Sequence, residues 1–101
     1  MLKHIQNKEE FESAVKEGLV LVDFFVTWCG PCKMLSPVIE QVSNEHPELT
    51  VVKVDVDELP SIAGKYGIQA IPTLFLMKNG KVVANQMGFI NKNQLENFIN
   101  K

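Results

Sequence analysis

Apolar residues along this chain follow two alternating rhythms. Residues 19–26 are apolar except at Asp23 and Thr27 lies just beyond, while residues 50–56 form a second, valine-rich stretch. Runs of this kind predict strands covered on both faces. Between them the period changes. Phe11, Ala14 and Val15 recur at helical spacing, as do Leu35, Val38, Ile39 and Val42, then Leu59, Ile62, Ala63 and Tyr66, and finally Leu95, Phe98 and Ile99. Each set predicts one buried stripe on a helix.

The polar and special residues punctuate these stretches. Asn7 suits a helix cap, with Glu10 three residues on to complete a box-like cap, and Gly18 suits the exit. A second helix is expected to start near Pro31 or Cys32 and to stop before Pro47. Pro37 inside it removes one backbone donor and predicts a kink. Gly67 follows the third helix. Asn79-Gly80 between residues 73–77 and 81–87 is a strong hairpin signal. Asn91 is placed to cap the last helix, and residues 2–5 fit a short first strand. The resulting order is β-α-β-α-β-α-β-β-α. The early βαβ units require parallel pairing with right-handed crossovers, and the late hairpin is antiparallel. This predicts an α/β fold, a mixed sheet with helices on both faces. With 101 residues and no repeat, linker or low-complexity stretch, a single domain, 1–101, is expected.

Composition narrows the function. A net charge of −2 without a basic stripe argues against nucleic acid as a partner. Glu9, Glu10 and Glu12 read as a solvated helix start. The longest apolar stretch is far below the roughly 20 residues that span a bilayer, so no membrane partner is expected. The N-terminal residues lack the charged segment, long apolar stretch and small-residue site of an export signal. The expectation is a cytoplasmic monomer. In a reducing compartment a lone cysteine pair points to catalysis or metal binding rather than to a structural bridge.

That pair is Cys29 and Cys32, in the run Trp28-Cys29-Gly30-Pro31-Cys32-Lys33. It lies between a strand and a helix, where unpaired N–H groups and the macrodipole stabilise a thiolate. Cys29 precedes the helix and is the expected attacking thiol. Cys32, inside the first turn, is expected to be more buried and to resolve the mixed disulfide. Two other readings fit the bare spacing: a pair of small core residues, or half a zinc site completed by His4 and His46. Gly30 and Pro31 shape the turn between the sulfurs, glycine by allowing another backbone to come close and proline by stiffening the loop. Asp23 interrupts an apolar strand, where desolvation raises a carboxyl pKa. It could exchange a proton with Cys32, or it could be a structural acid paired with Lys53. Lys53 in turn could tune Asp23 or sit at an edge. Trp28, the only tryptophan, offers apolar docking area with its N–H on a local acceptor. Met87 and Phe89 read as core or rim residues.

Taken together, these residues resemble the thioredoxin family over nearly the whole chain. The matching pieces are Val22-Asp23-Phe24, then Trp28 through Met34 with Pro37 beyond, Lys53 with Asp57, Tyr66-Gly67-Ile68, Ile71-Pro72-Thr73, Lys78-Asn79-Gly80 and Gly88. The resemblance implies a thioredoxin fold of five strands flanked by four helices. It implies a protein-disulfide reductase acting on disulfide-containing proteins, with a Cys29–Cys32 disulfide as its redox element. No bound cofactor or metal is implied, and NADPH serves indirectly through thioredoxin reductase. It assigns the proton role to Asp23 and makes Pro72 a cis proline facing the cysteines. There the Ile71 backbone would pair with an extended substrate strand, and Gly88 would keep the rim of the groove low. Phe25, Val26, Thr27 and Ala70 depart from the residues frequent in the family, and none of these changes removes a reacting group. A binding or assembly subunit using the same surface is the competing function. An oxidase or isomerase is a third; Gly30-Pro31 favours the reductase.

Overall fold

The computed structural model describes residues 2–101. In chain order the elements are β1 (Leu2–His4), α1 (Lys8–Val15), β2 (Leu19–Phe25), α2 (Gly30–Glu45), β3 (Thr50–Asp55), α3 (Pro60–Lys65), β4 (Thr73–Lys78), β5 (Lys81–Met87) and α4 (Lys92–Ile99). The order is the one predicted. The sheet runs β1-β3-β2-β4-β5, so β3 lies between the first two strands in sequence. β3 pairs parallel with both β1 and β2, and β4 pairs antiparallel with β2 and β5.

Period-two alternation splits the core into two layers. Val20, Val22, Phe24, Val52 and Val54 face Phe11 and Val15 of α1 and Ile62 of α3. Leu21, Val51, Leu74 and Leu76 face Leu35, Ile39 and Val42 of α2 and Leu95, Phe98 and Ile99 of α4. Val38 is only partly buried against that second layer. Asp23 and Lys53 are two residues beyond Leu21 and Val51, so both side chains continue the α2 face.

Local signals account for most boundaries. The α1 cap forms as a variant of the expected box: Asn7 Oδ1 accepts the Glu10 N–H at 2.8 Å, but Glu10 reaches back to the Gln6 N–H rather than to that of Asn7. The reciprocal box appears at α4, between Asn91 and Gln94. Asn79 (φ 51°) and Gly80 (φ 85°) make the hairpin with positive φ at both central residues, as a type I′ turn requires. Asn79 Oδ1 also accepts the Gly18 N–H at 2.8 Å, tying the hairpin to the start of β2.

Some of the predicted boundaries need correction. β1, β2 and β3 each end one residue earlier than predicted, although the Ile5 N–H still reaches the Lys53 carbonyl at 2.9 Å. The α2 helix begins at Gly30, with Cys29 as its cap, rather than near Pro31 or Cys32. A proline fits the first turn because its missing N–H has no helical partner there. Within the same helix, the exposed Pro37 is accommodated in one continuous run to Glu45.

Candidate active site

The α2 N-terminus presents the reactive pair. Cys29 is in extended conformation (φ −106°, ψ 117°), which turns the chain from β2 into the helix. Its Sγ accepts the Cys32 N–H at 3.2 Å, occupying a donor that the first helical turn leaves unpaired. Cys29 is half-buried, whereas Cys32 is 5% exposed. The two are joined as a disulfide with Cα atoms 5.3 Å apart. The expected contrast, a more buried second cysteine, is therefore present in the fold.

The zinc reading does not fit this arrangement. His46 closes α2 at its far end, its ring held between Glu48 (3.2 Å) and Glu96 (2.9 Å), and those carboxylates raise its pKa. His4 sits on β1 with its ring edge toward Phe25. Among the described residues, no cluster of three or more His, Cys, Asp or Glu side chains could hold a metal ion. The reading of two small core residues also fails for Cys29, which is only half-buried.

Behind the disulfide lies the Asp23–Lys53 pair. The two residues are directly opposite in the β2–β3 register, which is why they share a face. Lys53 Nζ is 3.8 Å from Asp23 Oδ2, and the side chains are 9% and 2% exposed. Burial pushes the Asp23 carboxyl up to about 6, against the opposing pull of Lys53. Among the described residues, Asp23 Oδ1 has no hydrogen-bond partner and is buried. The ammonium donates at 2.8 Å to Ser36 Oγ on α2 and lies 4.8 Å from the centre of the Phe25 ring. Phe25, Cys32, Ser36 and Lys53 are among the residues lining a cavity of about 180 Å³.

The surface around the disulfide is apolar and open. Trp28 is 75% exposed, and its indole N–H donates to Asp57 Oδ2 at 2.8 Å. That acceptor holds an otherwise free ring in place. Gly30 and Pro31 are exposed. Among the described residues, and apart from Gly30's own neighbours and helix backbone, no atom lies within 4 Å of where a Cβ would project from Gly30, so packing does not demand glycine there. The Ile71–Pro72 bond is cis. Pro72 is buried and Ile71 half-buried. Gly88, at φ 85°, donates its N–H to the Pro72 carbonyl at 2.8 Å, which joins the end of β5 to the proline loop. On either side of Gly88, Met87 is 63% and Phe89 41% exposed, so neither belongs to the core.

Two members of this arrangement were not assigned roles from sequence. Asp57 belongs to the motif set, but nothing in the linear chain ties it to Trp28, 29 residues earlier. Ser36 carries no signal beyond its position one turn after Cys32 on the helix.

The family model for thioredoxin matches residues 3–101. The chain belongs to the thioredoxin family. It is 47% identical over 102 residues to the thioredoxin of Listeria monocytogenes, covering 100% of this chain and 98% of that one. It is also 47% identical over 94 residues to the thioredoxin of Bacillus subtilis, covering 92% and 90% respectively. Among solved structures, a thioredoxin from Plasmodium falciparum superposes with a TM-score of 0.91 at 37% identity, covering 97% of this chain and 96% of that one. This thioredoxin-family protein is a thiol–disulfide oxidoreductase, a protein-disulfide reductase whose redox element is the Cys29–Cys32 pair. It acts on disulfide-containing proteins. Among the described residues, no helix is long and apolar enough to cross a membrane.

Proposed function

We propose that Cys29 attacks and Cys32 resolves. In the reduced protein the Cys29 thiolate attacks one sulfur of a substrate disulfide. A Cys29–substrate bond forms, the substrate S–S bond breaks, and the second substrate sulfur leaves as a thiolate. Cys32 then gives its proton to the Asp23 carboxylate, directly or through solvent in the adjoining cavity, and its thiolate attacks Cys29 Sγ. The mixed disulfide breaks, the substrate departs with two electrons, and the Cys29–Cys32 disulfide remains. An Asp23 carboxyl near 6 is mostly ionised at neutral pH yet basic enough to receive that proton. The observation that carries the assignment is the burial contrast, a half-exposed Cys29 at the helix cap against an enclosed Cys32.

Substrate docks on Trp28, Gly30 and Pro31 with the Ile71–Pro72 and Gly88 segments opposite. Backbone pairing at Ile71 leaves recognition largely independent of substrate side chains. Lys53 tunes Asp23 through its charge. Residues 1–101 act as a single domain and monomer in the cytoplasm, carrying electrons from thioredoxin reductase, and ultimately NADPH, to protein disulfides.

Single-cysteine variants test the roles. Cys32→Ser incubated with a disulfide-bonded protein is expected to accumulate a covalent adduct on Cys29, stable until a reductant is added. Cys29→Ser is expected to accumulate none. Equal trapping by both variants contradicts the assignment. NADPH-coupled turnover with purified thioredoxin reductase tests the electron donor, and absence of turnover with both thiols free removes it.

A further inference from the structure

The Lys53 ammonium has two oxygen partners available on the same face of the sheet, and it is not shared equally between them. Ser36 Oγ accepts at 2.8 Å. Asp23 Oδ2 is at 3.8 Å, beyond hydrogen-bond length, although it carries the opposite charge. Both bonds would be charge-assisted, but only the carboxylate adds the attraction of an opposite charge. The ammonium lies toward α2, where the Ser36 hydroxyl accepts its hydrogen bond. We propose that Ser36 is a positioning residue: its hydroxyl holds the Lys53 ammonium on the α2 side of the cavity, at ion-pair distance from Asp23 and outside hydrogen-bond reach of it. Asp23 Oδ2 then lacks a short bond from the ammonium, so Lys53 offsets less of the rise that burial gives the carboxyl. The proposal rests on the reading that Asp23 takes the Cys32 proton only for its catalytic consequence, not for the geometry.

The other charged groups around Asp23 leave this role to Ser36. From β3 it is faced by Lys53. Its β4 neighbour in register is Leu74, which carries no charge. From α2, Cys32 lines the cavity and is held in the disulfide, and Lys33 lines the same cavity from an exposed position. His4 is the β1 neighbour of Lys53 in register and turns its ring edge to Phe25. Asp55, two residues past Lys53, is engaged by the Asp57 and Glu58 N–H groups at 2.9 and 3.3 Å. None of these supplies the 2.8 Å acceptor that keeps the ammonium off the carboxylate.

The test is carboxyl titration of Asp23 in the oxidised protein, read by NMR with ¹³C-labelled aspartate. Ser36→Ala frees Lys53 to hydrogen-bond Asp23, and the midpoint is expected to fall by about one pH unit. In a Lys53→Met background the same Ser36→Ala change is expected to move the midpoint no further, because the effect is transmitted through the ammonium. An unchanged or raised midpoint in Ser36→Ala, or an equal fall in the Lys53→Met background, overturns the proposal. The pH profile for breakdown of a preformed mixed disulfide is measured in parallel. If the carboxyl moves and that profile does not, Ser36 keeps its positioning role and Asp23 loses its catalytic one.

Discussion

The two faces of β2 and β3 are built from alternate residues of the same strands and do different work. Toward α1 and α3, Val20, Val22, Phe24, Val52 and Val54 are all buried and apolar. They meet a cluster of rings in which Phe24 lies edge-on to Phe75 at 5.1 Å, and Phe75 to Tyr66 at 5.5 Å. Toward α2 the pattern begins in the same way with Leu21 and Val51. Two residues further along each strand it gives way to Asp23 and Lys53, with Ser36 and Cys32 from the helix above. One face is packed for cohesion along its length. The other is packed at one end and ionisable at the end nearest the disulfide. The comparison shows that a strand can hold a fold and carry buried ionisable groups together, provided the costly charges are confined to one face and to one end of it.

The comparison is most strained by removing the largest fully buried side chain of the apolar face. Phe24→Ala empties a site that is fully buried between rings, and a loss of about 3–5 kcal/mol is expected in denaturant unfolding. A cost below 1 kcal/mol would mean that the aromatic face is not the cohesive one.

Asp23→Asn acts in the opposite sense and depends on pH. The native carboxyl titrates at about 6, against 3.8 for the unperturbed group. The native state thus binds the proton more tightly than the unfolded chain. The resulting stabilisation is complete below pH 3.8 and lost as pH rises through 6, above which the buried carboxylate is a liability. Removing the charge is expected to raise stability at pH 7 by about 2 kcal/mol, less than the full linkage value because Lys53 keeps its own charge. The gain is expected to vanish near pH 4. Parallel stability curves for variant and parent between pH 4 and 7 would contradict the Asp23 assignment. The same variant is expected to slow mixed-disulfide breakdown more than initial attack, which stopped-flow kinetics would separate.

A smaller effect belongs to the rim. Asp57→Ala releases the Trp28 indole, and KM for a protein disulfide is expected to rise about 2- to 5-fold with kcat little changed, as befits loss of roughly one hydrogen bond. Thermal stability is expected to stay within about 0.5 kcal/mol, since both groups are at the surface. A fall in kcat with unchanged KM would place Trp28 in the chemistry rather than in docking.

Much of this was legible in the residues. The strands and helices followed from hydrophobic period and caps, because one chain segment determines each. Asp23 stood out because a carboxylate in an apolar run is anomalous wherever the strand pairs. Strand order was not legible: valine-rich strands covered on both faces look alike, and only tertiary packing puts β3 between β1 and β2. The contacts of Ser36 and Asp57 were hidden for a related reason. Ser36 meets Lys53 across the helix–sheet interface, and Asp57 meets Trp28 between two loops, so neither pairing has a local period. The expectation sets the start of α2 late because it begins the helix near its first proline or buried cysteine. In the folded chain Gly30 already opens the helix and the Cys29 sulfur does the capping.

The assignment of attack to Cys29 is tested most directly by brief alkylation of the fully reduced protein with iodoacetamide at pH 7, followed by peptide mass spectrometry of each cysteine. The expected result is an adduct on Cys29 in roughly tenfold excess over Cys32, as an accessible, helix-stabilised thiolate beside a buried thiol requires. Equal modification of the two, at the rate of an ordinary free cysteine, would contradict the account.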